Sequence, residues 1–251
     1  MKLLRSMSLL PLACLLIFAQ TGLAADGAPS FNWTGPYAGL HLGYGWGNTD
    51  TSFSPLPDPV SFSFLLPTTL SPNPSGIVGG LQGGYNYQTG CIVVGIEADF
   101  SGSGMSGTKT VSPIVQNDLT TTGGFLTAHQ ETNWYGTLRP RMGYTVTPTL
   151  LVYGTVGLAY GDVSYSAESN FQDFGVTYPV SFSKIEVGWT AGGGLEYALC
   201  KNWTVKAEYL YMDLGSESAI VDQIPASPPF QVAYKWNTTA NIFNIGLNYK
   251  F

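Results

Sequence analysis

From about residue 36 to the end of the chain, apolar side chains alternate one by one with small or polar ones, in segment after segment. A period of two puts successive side chains on opposite faces of an extended strand, so each segment reads as a strand with two unlike faces. Eight strands are predicted, over 36–47, 76–88, 91–102, 132–145, 149–162, 184–199, 203–214 and 238–251. Their connections alternate too: 88–91, 145–149 and 199–203 are very short, whereas 48–75, 103–131, 163–183 and 215–237 are long. Short turns at one end and long loops at the other mark an up-and-down transmembrane barrel, and an even strand number leaves both termini on the periplasmic side. The expected fold is therefore all-β, an eight-stranded antiparallel transmembrane β-barrel with short periplasmic turns and four long external loops.

The two faces support this reading. In the first strand Ala38, Leu40, Leu42, Tyr44 and Trp46 oppose Tyr37, Gly39, His41, Gly43 and Gly45. In the third, Ile92, Val94, Ile96, Ala98 and Phe100 oppose Val93, Gly95, Glu97, Asp99 and Ser101. The apolar set is expected to face lipid, with the small and charged set filling the interior. On that parity Trp46, Phe100, Trp134, Tyr160, Trp189, Tyr211 and Phe243 fall toward an outer rim, while Tyr87, Tyr144, Tyr197, Trp203, Tyr249 and Phe251 fall toward an inner one. Aromatic side chains collect at membrane interfaces. Composition agrees: 31 glycines, 14% aromatic and only 10% charged residues suit small interior positions and a lipid-facing wall better than a soluble domain.

The front of the chain is different. Lys2 and Arg5 precede an apolar core from Leu9 to Phe18, and small residues lead to Ala24. That order is a secretory signal peptide over 1–24, followed by a short periplasmic segment at 25–35 and the barrel domain at 36–251. Cys14 lies in mid-core after Pro11, which does not fit a lipidation site. Losing Lys2 and Arg5 leaves eight basic residues against sixteen acidic ones, a net charge of −8, which disfavours nucleic acid as a partner.

The last nine residues, Phe243 to Phe251, alternate without error and end on an aromatic. So long and apolar an edge would invite aggregation unless it closed a barrel. This strand resembles the assembly signal of outer-membrane proteins, with Leu247, Tyr249 and Phe251 at the matching positions. Several further stretches carry a wider likeness: Asn32 to Gly39, Val94 to Phe100, Thr137 to Tyr144, Gly157 to Gly161, Gly188 to Tyr197, and Trp203 to Leu214. On these the chain resembles the small outer-membrane β-barrels of alphaproteobacteria, the porin-like and opacity-protein-like surface antigens. The resemblance implies an outer-membrane location and a role as surface antigen or envelope-structuring protein. Pro140 departs from the small residue usual in that family, and proline inside a strand calls for a bulge or a lost ladder bond.

The predicted inward charges are Glu97, Asp99, Arg139, Arg141, Glu196, Lys206 and Glu208. Buried charges need partners, so Glu97 and Asp99 are expected to pair with Arg139 and Arg141 on the next strand, and Glu196 with Lys206. The set is either an ionic plug or the charged constriction of a pore. His41 is placed inside the first strand and His129 in the second long loop; they fit neither a catalytic triad nor a metal set, so no enzymatic activity and no cofactor is expected. Secretion permits a disulfide between Cys91 and Cys200, yet they sit on the third and sixth strands, across the lumen, and a bond needs Cα atoms within about 7 Å, so bonded and free forms both stay open. The loop clusters Phe62 to Pro67 and Pro228 to Val232 suit either loop packing or recognition. The expected function is an envelope-structural protein and surface antigen with a side-chain-filled interior, the alternatives being a small passive pore and an adhesin. Expected partners are outer-membrane lipid and lipopolysaccharide and the barrel-assembly machinery, with peptidoglycan or a host surface as further candidates.

Overall fold

The computed structural model describes residues 31–56, 69–112, 114–116, 119–121, 124–172, 175–225 and 231–251. The expected leader, residues 25–30 of the segment after it, and the clusters at 62–67 and 228–230 lie outside the described residues.

The strands in chain order are β1 (Gly35–Leu56), β2 (Thr69–Leu70), β3 (Ser75–Thr89), β4 (Ile92–Val111), β5 (Ile114–Gln116), β6 (Leu119–Thr121), β7 (Phe125–Thr147), β8 (Leu150–Phe171), β9 (Val176–Ala198), β10 (Trp203–Asp222) and β11 (Gln231–Lys250). Eight of them are long, and each of these pairs antiparallel with the next long strand. The pairing of β1 with β11, from Tyr37↔Lys250 to Leu56↔Gln231, closes the ring. Closure leaves the membrane wall without an edge, as a sheet in hydrocarbon must be. The up-and-down barrel of eight long strands is thus the fold read from the alternation; β2 adds a two-residue partner on β1, and β5 pairs with β6 apart from the ring.

The external loops need correction. The strands run well past the predicted outer ends, and much of 48–75, 103–131, 163–183 and 215–237 is strand. Along β8 the inward positions are Leu151, Tyr153, Thr155, Ala159, Val163, Tyr165, Ala167, Ser169 and Phe171. Below Gly161 the outward neighbours are apolar, with Val152, Val156, Leu158 and Tyr160 exposed; above it they are Asp162, Ser164, Ser166, Glu168 and Asn170. β11 inverts in the same way: Phe243, Ile245 and Leu247 face out, whereas above Asn241 the apolar Val232, Tyr234 and Trp236 face in and Lys235 and Asn237 face out. The barrel therefore projects beyond the membrane as a water-facing cylinder with an apolar core. The polar residues that suggested loops are its solvent face.

Bulges shift the register in the β4–β7, β7–β8 and β10–β11 ladders, the β9–β10 ladder breaks off altogether, and at Pro140 the β7–β8 ladder loses two pairs without a shift. The β9–β10 ladder runs from Thr204↔Ala198 to Asp213↔Trp189 and stops there, where Gly215 takes a left-handed φ of +87° and β10 bulges. Above it the two strands meet again at the Thr177↔Ile224 bridge, whose two backbone hydrogen bonds measure 2.9 and 2.8 Å. Side chains span the seam between: Lys184 donates to Glu217, and the Tyr178 hydroxyl to Gln223 Oε1 at 3.1 Å. Pro140, by contrast, does not shift the register. Ile96↔Pro140 and Glu97↔Arg139 stay paired, the β7–β8 register is the same on either side of it, and the Thr155 hydroxyl donates to the Pro140 carbonyl at 2.8 Å. The ring of Pro140 faces outward, so the missing donor costs little beyond its ladder bond.

Candidate functional site

The inward side chains fill the lumen in three layers. At the periplasmic end the segment before β1 folds up into the mouth. Trp33 and Phe31 pack there edge to face, 4.7 Å between ring centroids, against Val93, Leu151, Tyr153 and Ala198. The Trp33 backbone N–H donates to Gln88 Oε1 at 2.9 Å, and the Gln88 N–H to the Thr34 hydroxyl at 2.9 Å, which fixes the plug to β3.

The middle layer is ionic. Strand pairing sets Glu97 directly opposite Arg139 and Asp99 opposite Thr137, because a two-residue period keeps all four on the inner face. Arg139 reaches Glu97 and Asp99 at 2.9 Å each, and crosses the lumen to Glu208 at 3.1 Å. Arg141 contacts Glu97 at 3.3 Å and Glu196 at 2.6 Å, with its guanidinium 4.0 Å from the Tyr153 ring centroid. Lys206 reaches Glu97 at 2.8 Å and Glu208 at 3.6 Å. Tyr37 donates to Glu97 at 2.7 Å, Tyr153 to Glu208 at 2.9 Å, and Thr204 and Asn248 to Glu196 at 2.6 and 2.9 Å. All seven predicted charged residues are at most 8% exposed.

The expected pairing of Glu97 and Asp99 with arginines holds in this geometry, but that of Glu196 with Lys206 does not. Although Lys206 lies opposite Glu196 in the ladder, its long side chain reaches to Glu97, and Glu196 takes Arg141 instead. A barrel this narrow lets long side chains meet across the lumen, which ladder proximity alone does not reveal. His41 faces inward as expected, its Nε2 2.8 Å from the Ser101 hydroxyl. His129 is on β7 rather than in a loop, its Nδ1 2.8 Å from the Thr108 hydroxyl. Cys91 and Cys200 are both free and exposed; the disulfide is not formed, since their turns stand on β4 and β9, three places apart around the ring.

The outer layer went unread in the sequence. Trp236 lies against Tyr165, Phe182 and Tyr234, with centroids 5.4, 5.5 and 5.8 Å away, and Met105, Leu126, Leu210 and Met212 are buried with them. Tyr165 meets the Thr238 hydroxyl at 2.8 Å, and Tyr234 donates to the Tyr178 carbonyl at 2.6 Å. Desolvation pushes the Tyr234 hydroxyl up to about 12 and raises Tyr165 as well. The signal was present: period two continues through 231–241 and 161–171 with apolar parity reversed. Likewise Phe31 and Trp33, two large aromatics just before the first strand, are too close together for an exposed linker to need both.

Outside, Phe100, Trp134 and Tyr160 on successive strands form one part of the outer aromatic belt, and Trp189 with Tyr211 another. Trp203, Tyr249 and Phe251 cluster at the inner rim, and Leu247 faces lipid beside them on β11.

Residues 10–251 match the family model described as an outer membrane protein beta-barrel domain. The chain is 37% identical over 250 residues to the 31 kDa outer-membrane immunogenic protein of Brucella melitensis, covering 94% of this chain and 95% of that one. It is 34% identical over 176 residues to the 22 kDa outer membrane protein of Rhizobium leguminosarum biovar viciae, covering 70% and 67%. Among solved structures, that of the outer membrane protein OprG from Pseudomonas aeruginosa aligns with a TM-score of 0.55 at 16% identity, over 88% of this chain and 98% of that one, a likeness of fold.

Proposed function

Because this chain belongs to the outer-membrane β-barrel domain family, we propose that it works in the outer membrane as a closed, non-enzymatic barrel, an envelope-structural protein and surface antigen rather than a pore. One observation carries the reading: an apolar plug below, an ionic layer in the middle and an aromatic layer above occupy the lumen in series. An eight-stranded barrel has an interior only wide enough for side chains, and here they are large and interlocked. The same closure argues against catalysis, because the lumen carboxylates are engaged by arginine, lysine, tyrosine and threonine in a space no substrate enters. The relatives named as immunogenic suggest what the projecting cylinder does: Asp162, Ser164, Glu168, Lys235 and Asn237 present a polar surface beyond the membrane on rigid strands. Lipid and lipopolysaccharide meet the apolar band below it, and the barrel-assembly machinery would read the Leu247, Tyr249, Phe251 pattern.

The test has two parts. Liposomes carrying the purified protein should exclude a small neutral sugar, and antibodies raised against 161–170 or 231–241 should bind intact cells. Rapid sugar entry would overturn the closed barrel, and antibody binding only after the cells are permeabilised would overturn the surface role.

A further inference from the structure

Counted with every carboxyl ionised and His41 neutral, the ionic layer does not balance. Glu97, Asp99, Glu196 and Glu208 bring four negative charges and Arg139, Arg141 and Lys206 three positive ones, all buried. A net charge enclosed in a low-dielectric interior is costly unless something compensates it. The shortfall has an address. Glu97 is shared by three cations, Glu208 by two, and Glu196 has Arg141 at 2.6 Å with Thr204 and Asn248. Asp99 has Arg139 alone, and Arg139 and Thr137 both donate to its Oδ2. Its Oδ1 is buried without a donor.

Polar atoms of residues around Asp99 lack partners too: the Tyr135 hydroxyl, Asn244 Oδ1 and His41 Nδ1. They belong to one place. Tyr135 stands opposite Ser101 in the ladder, its hydroxyl beside Ser101, Asn244 and Asp99. Asn244 lies opposite Gly43, whose missing side chain leaves room for its Oδ1, and His41 is tied to Ser101. Buried polar atoms in native proteins are nearly always satisfied, so orphans gathered in one layer call for a bound water or ion, and the uncompensated charge favours the ion.

We propose that Asp99, Tyr135 and Asn244 bind one small univalent cation, a hydronium or an alkali-metal ion, which completes the charge of the lumen. The chemistry fits on two counts. The donors are oxygens, which suit hard cations, and the deficit is a single charge, so a divalent ion would replace an excess of one sign with the other. The unpartnered His41 Nδ1 would accept a hydrogen bond from a hydronium or from the water around a metal ion. The inference rests on the closed lumen proposed above, since bulk water would screen the imbalance. Asp99 is faced by His41 from β1, Glu97 on its own strand, and Tyr135, Thr137 and Arg139 from β7, while Lys206 and Glu208 of β10 stand near His41 and Arg139.

The test uses the folded barrel in detergent, with unfolding followed in sodium chloride and in choline chloride at equal ionic strength, across pH. If the cation is an alkali metal, the wild-type unfolding constant falls about tenfold for each tenfold rise in sodium above half-saturation, and Asp99→Asn is flat. If it is a proton, sodium and choline give the same result, and the wild-type constant rises about tenfold per pH unit over the range in which the native state holds the extra proton, levelling off once that proton is released; Asp99→Asn again lacks that slope. Tyr135→Phe, which keeps the ring, should shift half-saturation to higher cation or proton concentration, and serves alone should Asp99→Asn not fold. A wild type indifferent to both, or variants that keep its slopes unshifted, overturn the site. Conductance recorded on the same sample separates the causes: a conducting barrel removes the closed lumen and the site with it, whereas a silent and indifferent one removes the site alone.

Discussion

Arg139 joins three carboxylates from β4 and β10 inside a wall that solvent does not reach. Removing it orphans more than one buried charge, so Arg139→Ala should destabilise the barrel by roughly 3–5 kcal/mol, measured by unfolding in detergent or lipid. In a water-filled lumen the surviving carboxylates would be screened, and the loss would be about 1 kcal/mol or less. The outer layer gives a separate measure. Trp236 is fully buried among aromatic rings, so Trp236→Ala should cost about 3–5 kcal/mol, through lost burial and the cavity left behind. Tyr234 sets a pH window. A phenol held neutral up to about 12 when folded, against 10 in the unfolded chain, adds stability that is complete below pH 10 and is lost as pH rises toward 12. The difference in phenolate absorbance between wild type and Tyr234→Phe, titrated alongside unfolding, tests this; a difference that appears near pH 10 in the folded protein would show the outer layer to be wet. At this scale the sequence was a fair guide to which residues face inward and a poor one to whom they touch. Parity placed Glu97, Arg139 and His41 inside, but the reach of Lys206 past its ladder partner depends on side-chain length across a narrow lumen.

The long strands owe their faces to one rule applied twice with opposite sign: apolar outward where lipid surrounds them, apolar inward where water does. Read for the first sign only, the segments 161–171 and 231–241 look like polar loops, which is why the membrane spans were legible and the projecting cylinder was not. Pro140 shows the converse, a residue that suggested a register defect yet sits outward where β7 keeps its frame. The upper wall has a weak place between β9 and β10, where ladder pairing gives way to side-chain links and one terminal bridge. Strand amides without ladder partners exchange quickly. Hydrogen exchange should therefore be faster at 178–188 and 215–222 than in the upper β1–β11 ladder, and uniform protection across these strands would mean that the wall is laced throughout. The terminal strand makes its own prediction. β11 closes the ring and places Leu247, Tyr249 and Phe251 on the lipid side. Phe251→Asp should leave export intact and sharply reduce the folded, heat-modifiable form in the outer membrane; normal insertion would deny the C-terminal pattern its role as a signal.

At the largest scale, the unit from Phe31 to Phe251 is a cylinder whose polarity changes with height, inside and out. In the membrane it is apolar outside and ionic within; beyond the membrane it is polar outside and aromatic within, and at the periplasmic end Phe31 and Trp33 cap the bore. Opposite gradients on the two faces of one sheet let the strands stay continuous while their surroundings change from lipid to water. They also fill the bore along its height, with Phe31 and Trp33 at the periplasmic mouth, charged side chains in the middle and aromatic ones above. That closure is the central claim, and single-channel recording in planar bilayers tests it most directly. The wild-type barrel, inserted and shown to be folded, should give a silent membrane with no stepwise current; reproducible ohmic steps with a defined ion selectivity would contradict the closed lumen and make the protein a porin.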